Sequence, residues 1–492
     1  MKLSDSVLEH IGAGFSGLWI QTHEPEYAAT EINTLAQNQG WSINVWDIVN
    51  GYRGHTPAVA KDPIDAVAHE DKSRQDVHLV LLFNYHPFLK NPVVVQNLAN
   101  AIHAGKSTRT FYLILSPIVQ IPPELEKLFV VLDHELPGPE QLVEVAGSLV
   151  DTEGKAIPFT EGHISGASGL THYEAEGAFA LSLVRHGSIE ADAIFEVKSN
   201  MLKKQNLLTL YRNGASFASL GGLTALKSFC SRSLVGPLAG IIKASARPKG
   251  VLLAGVPGTG KSQFCKALGS EFGLPVLICD PGRAKGSLVG ESEQQWRTML
   301  AQADAMAPCI LMFDEIEKAL AGGTAQHVGD SGVSKGQLGT LLTWLNDHTS
   351  DVYVVCTAND VSALPPEFAR AERFDALFFL DLPGTDERYA IWDLYEKRYQ
   401  LSLDGKKPYS LVDDKNWTGA EIQSCCRLAA MLDTSLAEAS SYVVPVADTA
   451  AEKIQALREW AQGRCIDANK GGVYTLNKTT ASEGKRTVRA KR

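Results

Sequence analysis

The stretch GVPGTGKS, Gly255 to Ser262, has the residue types and spacing G-x-x-x-x-G-K-S. Glycines at Gly255, Gly258 and Gly260 allow backbone N–H groups to turn inward around phosphate oxygens, with Pro257 and Thr259 between them. An apolar run, Val251–Ala254, leads in, and Phe264, Leu268 and Phe272 follow at helical spacing. The amino terminus of that helix, at Lys261, Ser262 and Gln263, adds partial positive charge. Lys261 would reach β- and γ-phosphates, and the Ser262 hydroxyl would hold Mg²⁺.

Later, CILMFDEIEKAL places Asp314 and Glu315 at the carboxyl end of an apolar run, Ile310–Phe313. That is where open α/β sheets put their ligands. Asp314 suits Mg²⁺ through water, and Glu315 suits deprotonating an attacking water; two adjacent acids at a solvated strand end are the plainer alternative. VYVVCTAND then reads as a strand ending at Asn359, an amide able to position water. Arg370 and Arg373 lie three residues apart, one turn if their segment is helical. They are either a surface pair or guanidinium groups for a transferring phosphoryl group, which a neighbouring subunit can supply.

These groups need a parallel sheet, and the strands between helical stretches read as one. The amino-terminal half reads the same way. GLWIQT, SINVWDIV, VHLVLLFNYH and FYLILSP are strands, with helices over PEYAATEINTLAQNQG and NPVVVQNLANAIHAG. FYLILSPIVQIPPELEKLF and VYVVCTANDVSALPPEFAR match in four features: a Tyr, a hydroxyl residue (Ser116 or Thr357), Pro-Pro-Glu, and a following Leu-Pro-Gly. The chemistry is not repeated. THEPEYAA has no phosphate-loop glycines, Asn84 and Tyr85 stand where Asp314 and Glu315 stand, and Ile118 falls opposite Asn359. Glu24 and Glu26 would repel a triphosphate. We read a degenerate nucleotide-binding core; two unrelated α/β domains with convergent turns are the alternative.

GVPGTGKS, LVGESE, FDEIEKA, TAND, PPEFARAERFD and WTGAEI occur in the order found in AAA ATPases, and residues 215–435 resemble that family. The resemblance implies a P-loop NTPase α/β core with a helical lid. It implies ATP and Mg²⁺ as ligands, Leu220 and Gly221 near the adenine, and Gly419 and Ala420 near the nucleotide. It also implies Arg370 and Arg373 as arginine fingers, and a homo-oligomer, hexameric or spiral. In threading members of the family an aromatic residue precedes Val-Gly in a central pore loop; here Leu288 precedes Val289 and Gly290. Leu keeps apolar grip without an aromatic face. His327 would lie in a second pore-facing loop. GDSGVSKGQLGTLLTWLNDHTSDVYVVCTAND, WAQGR and the amino-terminal half narrow the resemblance. It is to AAA proteins named for a conserved hypothetical chloroplast reading frame, found in cyanobacteria, algal plastids and other bacteria.

The expected organisation is a degenerate α/β domain over 1–150, a lid-like segment and linker over 151–212, and an AAA core over 213–385. A carboxy-terminal lid over 386–470 and a basic tail over 471–492 complete it. The lid-like segment rests on ISGASGLTHYEAEGAFALSLVRHG, whose GLTHYEAE parallels NWTGAEIQ. A net charge of −10 argues against nucleic acid along the body; the basic ASEGKRTVRAKR is a solvated terminus or an arm for an acidic partner. Eight cysteines without a C-x-x-C pair indicate neither a disulfide framework nor zinc. No run approaches the ~20 apolar residues of a membrane span. The expectation is a cytoplasmic ATPase that remodels or regulates a protein partner, or a slow nucleotide switch whose amino-terminal half binds one.

Overall fold

The computed structural model describes residues 2–476 apart from 54–59, 69–75, 151–153, 206, 213, 215, 239–245, 280–290, 321–330, 363, 365–367, 369–372 and 402–406. The chain folds as two compact units, Met1–Val197 and Lys198–Arg492.

In the first unit β1 (Gly17–Gln21), β2 (Ser42–Asp47), β3 (Gly51–Tyr52), β4 (His78–Phe83), β5 (Thr110–Ser116) and β6 (Val130–Asp133) form one sheet. Its order is β3-β2-β4-β5-β1-β6. All neighbours are parallel except β3 on β2. Every residue of β4 and β5 is buried, because helices cover both faces and the strands are apolar on both. Alternation along β5 sends Tyr112 and Ile114 to one face, against Val94, Leu98 and Ile102 of helix Pro92–Thr108. Leu113 and Leu115 go to the other, with Val7 and Ile11 of helix Leu3–Gly12 and Ile32 and Leu35 of helix Pro25–Gln39. Helix Pro92–Thr108 starts where it does because the Asn91 side chain accepts the Val93 N–H at 2.9 Å and Pro92 cannot continue a strand ladder.

The second unit contains β7 (Leu208–Tyr211), β8 (Gly250–Gly255), β9 (Val276–Cys279), β10 (Cys309–Phe313), β11 (Val352–Ala358), β12 (Ala376–Leu380) and β13 (Ile466–Asp467). The order is β13-β12-β8-β11-β10-β9-β7, antiparallel only at β7. Strand β7 is a finding beyond the sequence reading, which placed a helix and linker there; four residues amid polar neighbours give too short an alternation to stand out.

With β3, β7 and β13 set aside, both sheets run second-third-fourth-first-fifth in chain order. Phe83 pairs with Leu115 as Phe313 pairs with Cys356. This register sets Ser116 against Thr357, Asn84 against Asp314 and Tyr85 against Glu315. Each Leu-Pro-Gly ends in a helix cap. The Gly138 N–H donates to Gln141 Oε1 at 3.0 Å, and the Gly384 N–H to Glu387 Oε2 at 2.7 Å. Each lid-like helix opens on the same box: Thr171 with Glu174 for His172–His186, and Thr418 with Glu421 for Gly419–Leu432. The two halves share one strand order and the same turn chemistry.

What separates them is the turn after the first strand. In the second unit it is the glycine-rich Val256–Gly260, and there the Gly258 carbonyl accepts the Ala420 N–H at 3.1 Å. In the first unit it is only Thr22–Glu24, and the Glu24 carboxylate takes the corresponding place. It accepts the N–H groups of His172 and Tyr173, each at 3.0 Å, and lies 3.1 Å from His172 Nδ1. The His172 ring stacks on Tyr27 at 4.2 Å. Glu26 turns away and pairs with Arg53 at 2.8 Å. Burial pushes the Glu24 carboxyl up, but the bonds from His172 and Tyr173 outweigh it and hold it below its ordinary range. Tyr27, Glu31, Glu176 and His134 surround this pair; His134 bonds to Thr22 at 2.8 Å, and burial pushes its imidazole down. A carboxyl depressed by folding stabilises above its unfolded pKa and loses that contribution as pH falls through its folded one. Glu24→Ala is therefore expected to lower first-unit stability by about 2 kcal/mol at neutral pH. Hydrogen exchange should rise over 172–176 and approach that of wild type at acid pH; unchanged exchange at pH 7 would show that Glu24 does not hold the helix.

Candidate nucleotide-binding and hydrolytic site

Backbone geometry makes the loop. Gly255 closes β8 at φ 156°, where a Cβ would meet the Leu380 carbonyl oxygen at 2.2 Å, so that position admits only glycine. Gly258 and Gly260 follow at φ 82° and 93°, and Gly260 caps helix Lys261–Phe272. Phe264 and Leu268, both fully buried, anchor that helix against the sheet. Thr259 Oγ1 donates to the Val256 carbonyl at 2.8 Å and tightens the turn. Pro257, Gly258 and Gln263 are exposed.

Lys261 is 5% exposed and donates to the Gly255 and Val256 carbonyls at 2.9 and 2.8 Å. Burial pushes its ammonium down to about 8; Glu317, Asp314 and Glu315, in that order, oppose the shift. Ser262 Oγ donates to Asp314 Oδ1 at 2.7 Å. Thr357 Oγ1 donates to the same oxygen at 2.7 Å and accepts the Glu315 N–H at 2.9 Å. One threonine thus fixes both acids. Glu315 sits at φ 51°, a conformation that a non-glycine residue adopts at a cost of order 1 kcal/mol, and one that functional sites retain. Its Oε1 accepts from Asn359 Nδ2 at 2.7 Å, and its Oε2 pairs with Lys318 one helical turn on.

At the other end, the lead-in segment, two lid helices and the phosphate loop converge. A Cβ on Gly221 would fall 2.4 Å from Ile391 Cγ1. One on Gly419 would fall 3.6 Å from Ile391 Cδ1 and 3.7 Å from the Gly258 carbonyl. The Leu220 carbonyl accepts from Lys227 Nζ at 2.6 Å, and Thr224 Oγ1 donates to the Asn469 carbonyl at 2.9 Å, so the carboxy-terminal segment steadies this strip. Small residues here let the lead-in segment and the lid pack closely against Ile391 and the phosphate loop.

Among the expected site residues, Gly255, Pro257, Gly258, Thr259 and Gly260 form one loop and Lys261, Ser262 and Gln263 the first turn of its helix, with Asp314, Glu315 and Asn359 opposite. Leu220, Gly221, Gly419 and Ala420 gather at the lid. Arg373 is half-buried next to Phe374, whose ring lies 6.1 Å from that of Phe368. Arg370, Leu288, Val289, Gly290 and His327 lie outside the described residues. Sequence reasoning missed Thr357 as a site residue, although the repeat had marked it, and missed Ile391, Glu317 and Lys318. Glu317 and Lys318 stood in the quoted FDEIEKAL, and only the helix Ile316–Leu320 that starts after Glu315 turns them back to the site. A cavity of about 150 Å³ lined by Pro308, Cys309, Val352 and Tyr353 lies at the amino ends of β10 and β11, the strand ends away from the site.

Two family models match the chain: SpoVK-like AAA ATPase, N-terminal domain, over residues 3–134, and ATPase family associated with various cellular activities (AAA), over 251–382. The AAA domain-containing protein ycf46 of Pyropia yezoensis is 30% identical over 466 residues, 89% of this chain and 93% of that protein. The chain belongs to the ycf46-type AAA ATPase family. The Guillardia theta protein of the same description is 29% identical over 475 residues, covering 90% of this chain and 92% of that one. The cell division cycle protein 48 homolog of Archaeoglobus fulgidus is 31% identical over 189 residues, 38% of this chain and 25% of that protein. The long matches of the ycf46 proteins take in both units, and the shorter Archaeoglobus match spans a stretch the length of one AAA core. The family brings nucleotide binding with it, and no helix among the described residues is long and apolar enough to cross a membrane.

Proposed function

We propose that this AAA protein hydrolyses ATP and that assembled copies use the cycle to remodel or regulate a protein partner in the cytoplasm. The observation that carries the proposal is the bond from Asn359 to Glu315 beside the Ser262–Asp314 pair, both at 2.7 Å. Loop N–H groups and Lys261 hold the phosphate chain. Ser262 and Asp314 converge as hard oxygen donors and fit Mg²⁺, which when bound offsets phosphate charge. Glu315 takes the proton of the attacking water, and Asn359 fixes the carboxylate that does so. Gly221, Ile391, Gly419 and Ala420 receive the adenosine end, so the lid moves with nucleotide. Arg370 and Arg373 come from the neighbouring subunit of a hexamer or spiral.

A second reading, a slow nucleotide switch, draws support from the first unit. Its Glu24 already occupies the end of the lid-like helix, which leaves that unit as a nucleotide-independent surface for a partner. ATP turnover per chain against protein concentration separates the two. Turnover that rises and saturates supports sites completed between subunits; slow turnover that is flat to high dilution supports the switch.

A further inference from the structure

Glu317 is an acid beside the site that the proposed chemistry leaves unused. It is 7% exposed, and it stands two residues beyond Glu315 on the helix Ile316–Leu320. Its Oε1 accepts the main-chain N–H of Asn359 at 2.9 Å. Its Oε2 is buried with no hydrogen-bond partner among the described residues. Burial pushes its carboxyl up, and the main-chain N–H groups of Asn359, Glu317 itself and Asp360 act against that; a merely structural helix position would be filled better by an apolar side chain. The position is informative. Asn359 offers two donors: its side-chain amide goes to Glu315 and its main-chain amide to Glu317. The residue therefore bonds to two acids, one just before the short helix Ile316–Leu320 and one on it, and the aim of its side chain depends on how its backbone is held.

We propose that Glu317 is a positioning residue for hydrolysis, which holds the Asn359 backbone so that its side-chain amide orients the Glu315 carboxylate. This rests on the ATPase reading above. A carboxylate reached by a positioned donor loses rate steeply when the donor drifts, because general-base chemistry requires hydrogen-bond reach. Glu317→Gln retains an oxygen acceptor for the Asn359 N–H, and Glu317→Ala removes it.

The test compares kcat, KM and nucleotide affinity for wild type, Glu317→Gln, Glu317→Ala, Asn359→Ala and the double variant Glu317→Ala/Asn359→Ala. Expected are a kcat loss of about 10–100-fold in Glu317→Ala with affinity within about threefold, and a Glu317→Gln variant within about threefold of wild type. The double variant should be no slower than Asn359→Ala alone, since neighbours that act through one another are not additive. Wild-type kcat in Glu317→Ala, a Glu317→Gln variant as slow as Glu317→Ala, or full additivity overturns the proposal. A second reading needs no turnover: the Asn359 side-chain amide resonances, assigned by their loss in Asn359→Ala. They should shift and exchange faster in Glu317→Ala and keep their place in Glu317→Gln. Unchanged resonances in Glu317→Ala overturn the positioning role. If wild type binds ATP without hydrolysing it, the ATPase reading fails by itself, and these resonances still decide for or against Glu317.

Discussion

Glu315→Gln is expected to bind ATP as wild type does and to turn it over about 10²–10⁴-fold more slowly, the range that a positioned general base contributes. The substitution is nearly isosteric. Gln can keep an oxygen for Asn359 Nδ2, now 2.7 Å from Glu315 Oε1, and the bond to Thr357 Oγ1 uses only the main-chain N–H of residue 315. What disappears is the negative charge that accepts a proton, together with the ion pair to Lys318. The proposed phosphate ligands, Lys261 and the loop, and the proposed Mg²⁺ ligands, Ser262 and Asp314, are left in place. Turnover by phosphate release and affinity by calorimetry, made on the same preparation, separate the two effects. Normal turnover in Glu315→Gln would remove Glu315 from the mechanism and leave Asp314 or an acid outside the described residues to act as base.

The second large effect is expected at Arg373. Arginine fingers are worth about 10³–10⁵ in kcat, and a neighbouring subunit can supply them. Arg373→Ala should therefore hydrolyse ATP at least about 10³-fold more slowly with little change in affinity. The telling experiment mixes it with Glu315→Gln. Neither variant is active alone, but an Arg373→Ala chain keeps its own Glu315 and can take its arginine from a Glu315→Gln neighbour. Head-to-tail assembly at equal mixing completes about one site in four, and activity returns to that order. A mixture as inactive as its components would mean that Arg373 serves its own chain, or none. The result also bears on the choice between machine and switch, since a self-contained site needs no assembly.

Phosphate-loop chemistry was legible in the sequence because it is local. Gly255, Gly258 and Gly260 supply the turn, Lys261 and Ser262 the proposed ligands, and the strand before and helix after complete the motif within one short stretch. Asp314 and Glu315 were legible for a related reason: a buried parallel strand is a continuous apolar run, and its carboxyl end is where ligands sit. The degenerate half was legible through its turns. Leu-Pro-Gly recurs because both copies must cap a helix straight after their fifth strand, as Gly138 and Gly384 do.

Other features were not legible, because they depend on which distant segments meet. Nothing adjacent to Ile391 announces that its side chain will lie against Gly221 and Gly419. Thr357 was visible as half of a repeated pattern, yet its partners Asp314 and Glu315 reach it only across the ladder between β10 and β11. Glu24 was read as a charge that repels phosphate. The fold gives it a partner instead, the start of a helix some 150 residues later, which backbone N–H groups make attractive to a carboxylate.

By itself, then, the sequence determined the strand–helix alternation, the phosphate loop and the acidic pair, since propensity, turn chemistry and burial pattern act over a few residues. Only the tertiary structure decided that the two halves share one strand order, that Thr357 binds both acids, and that Glu317 holds the main chain of the residue that holds Glu315. Those facts are pairings between segments far apart in the chain, and burial selects them only when the whole sheet closes.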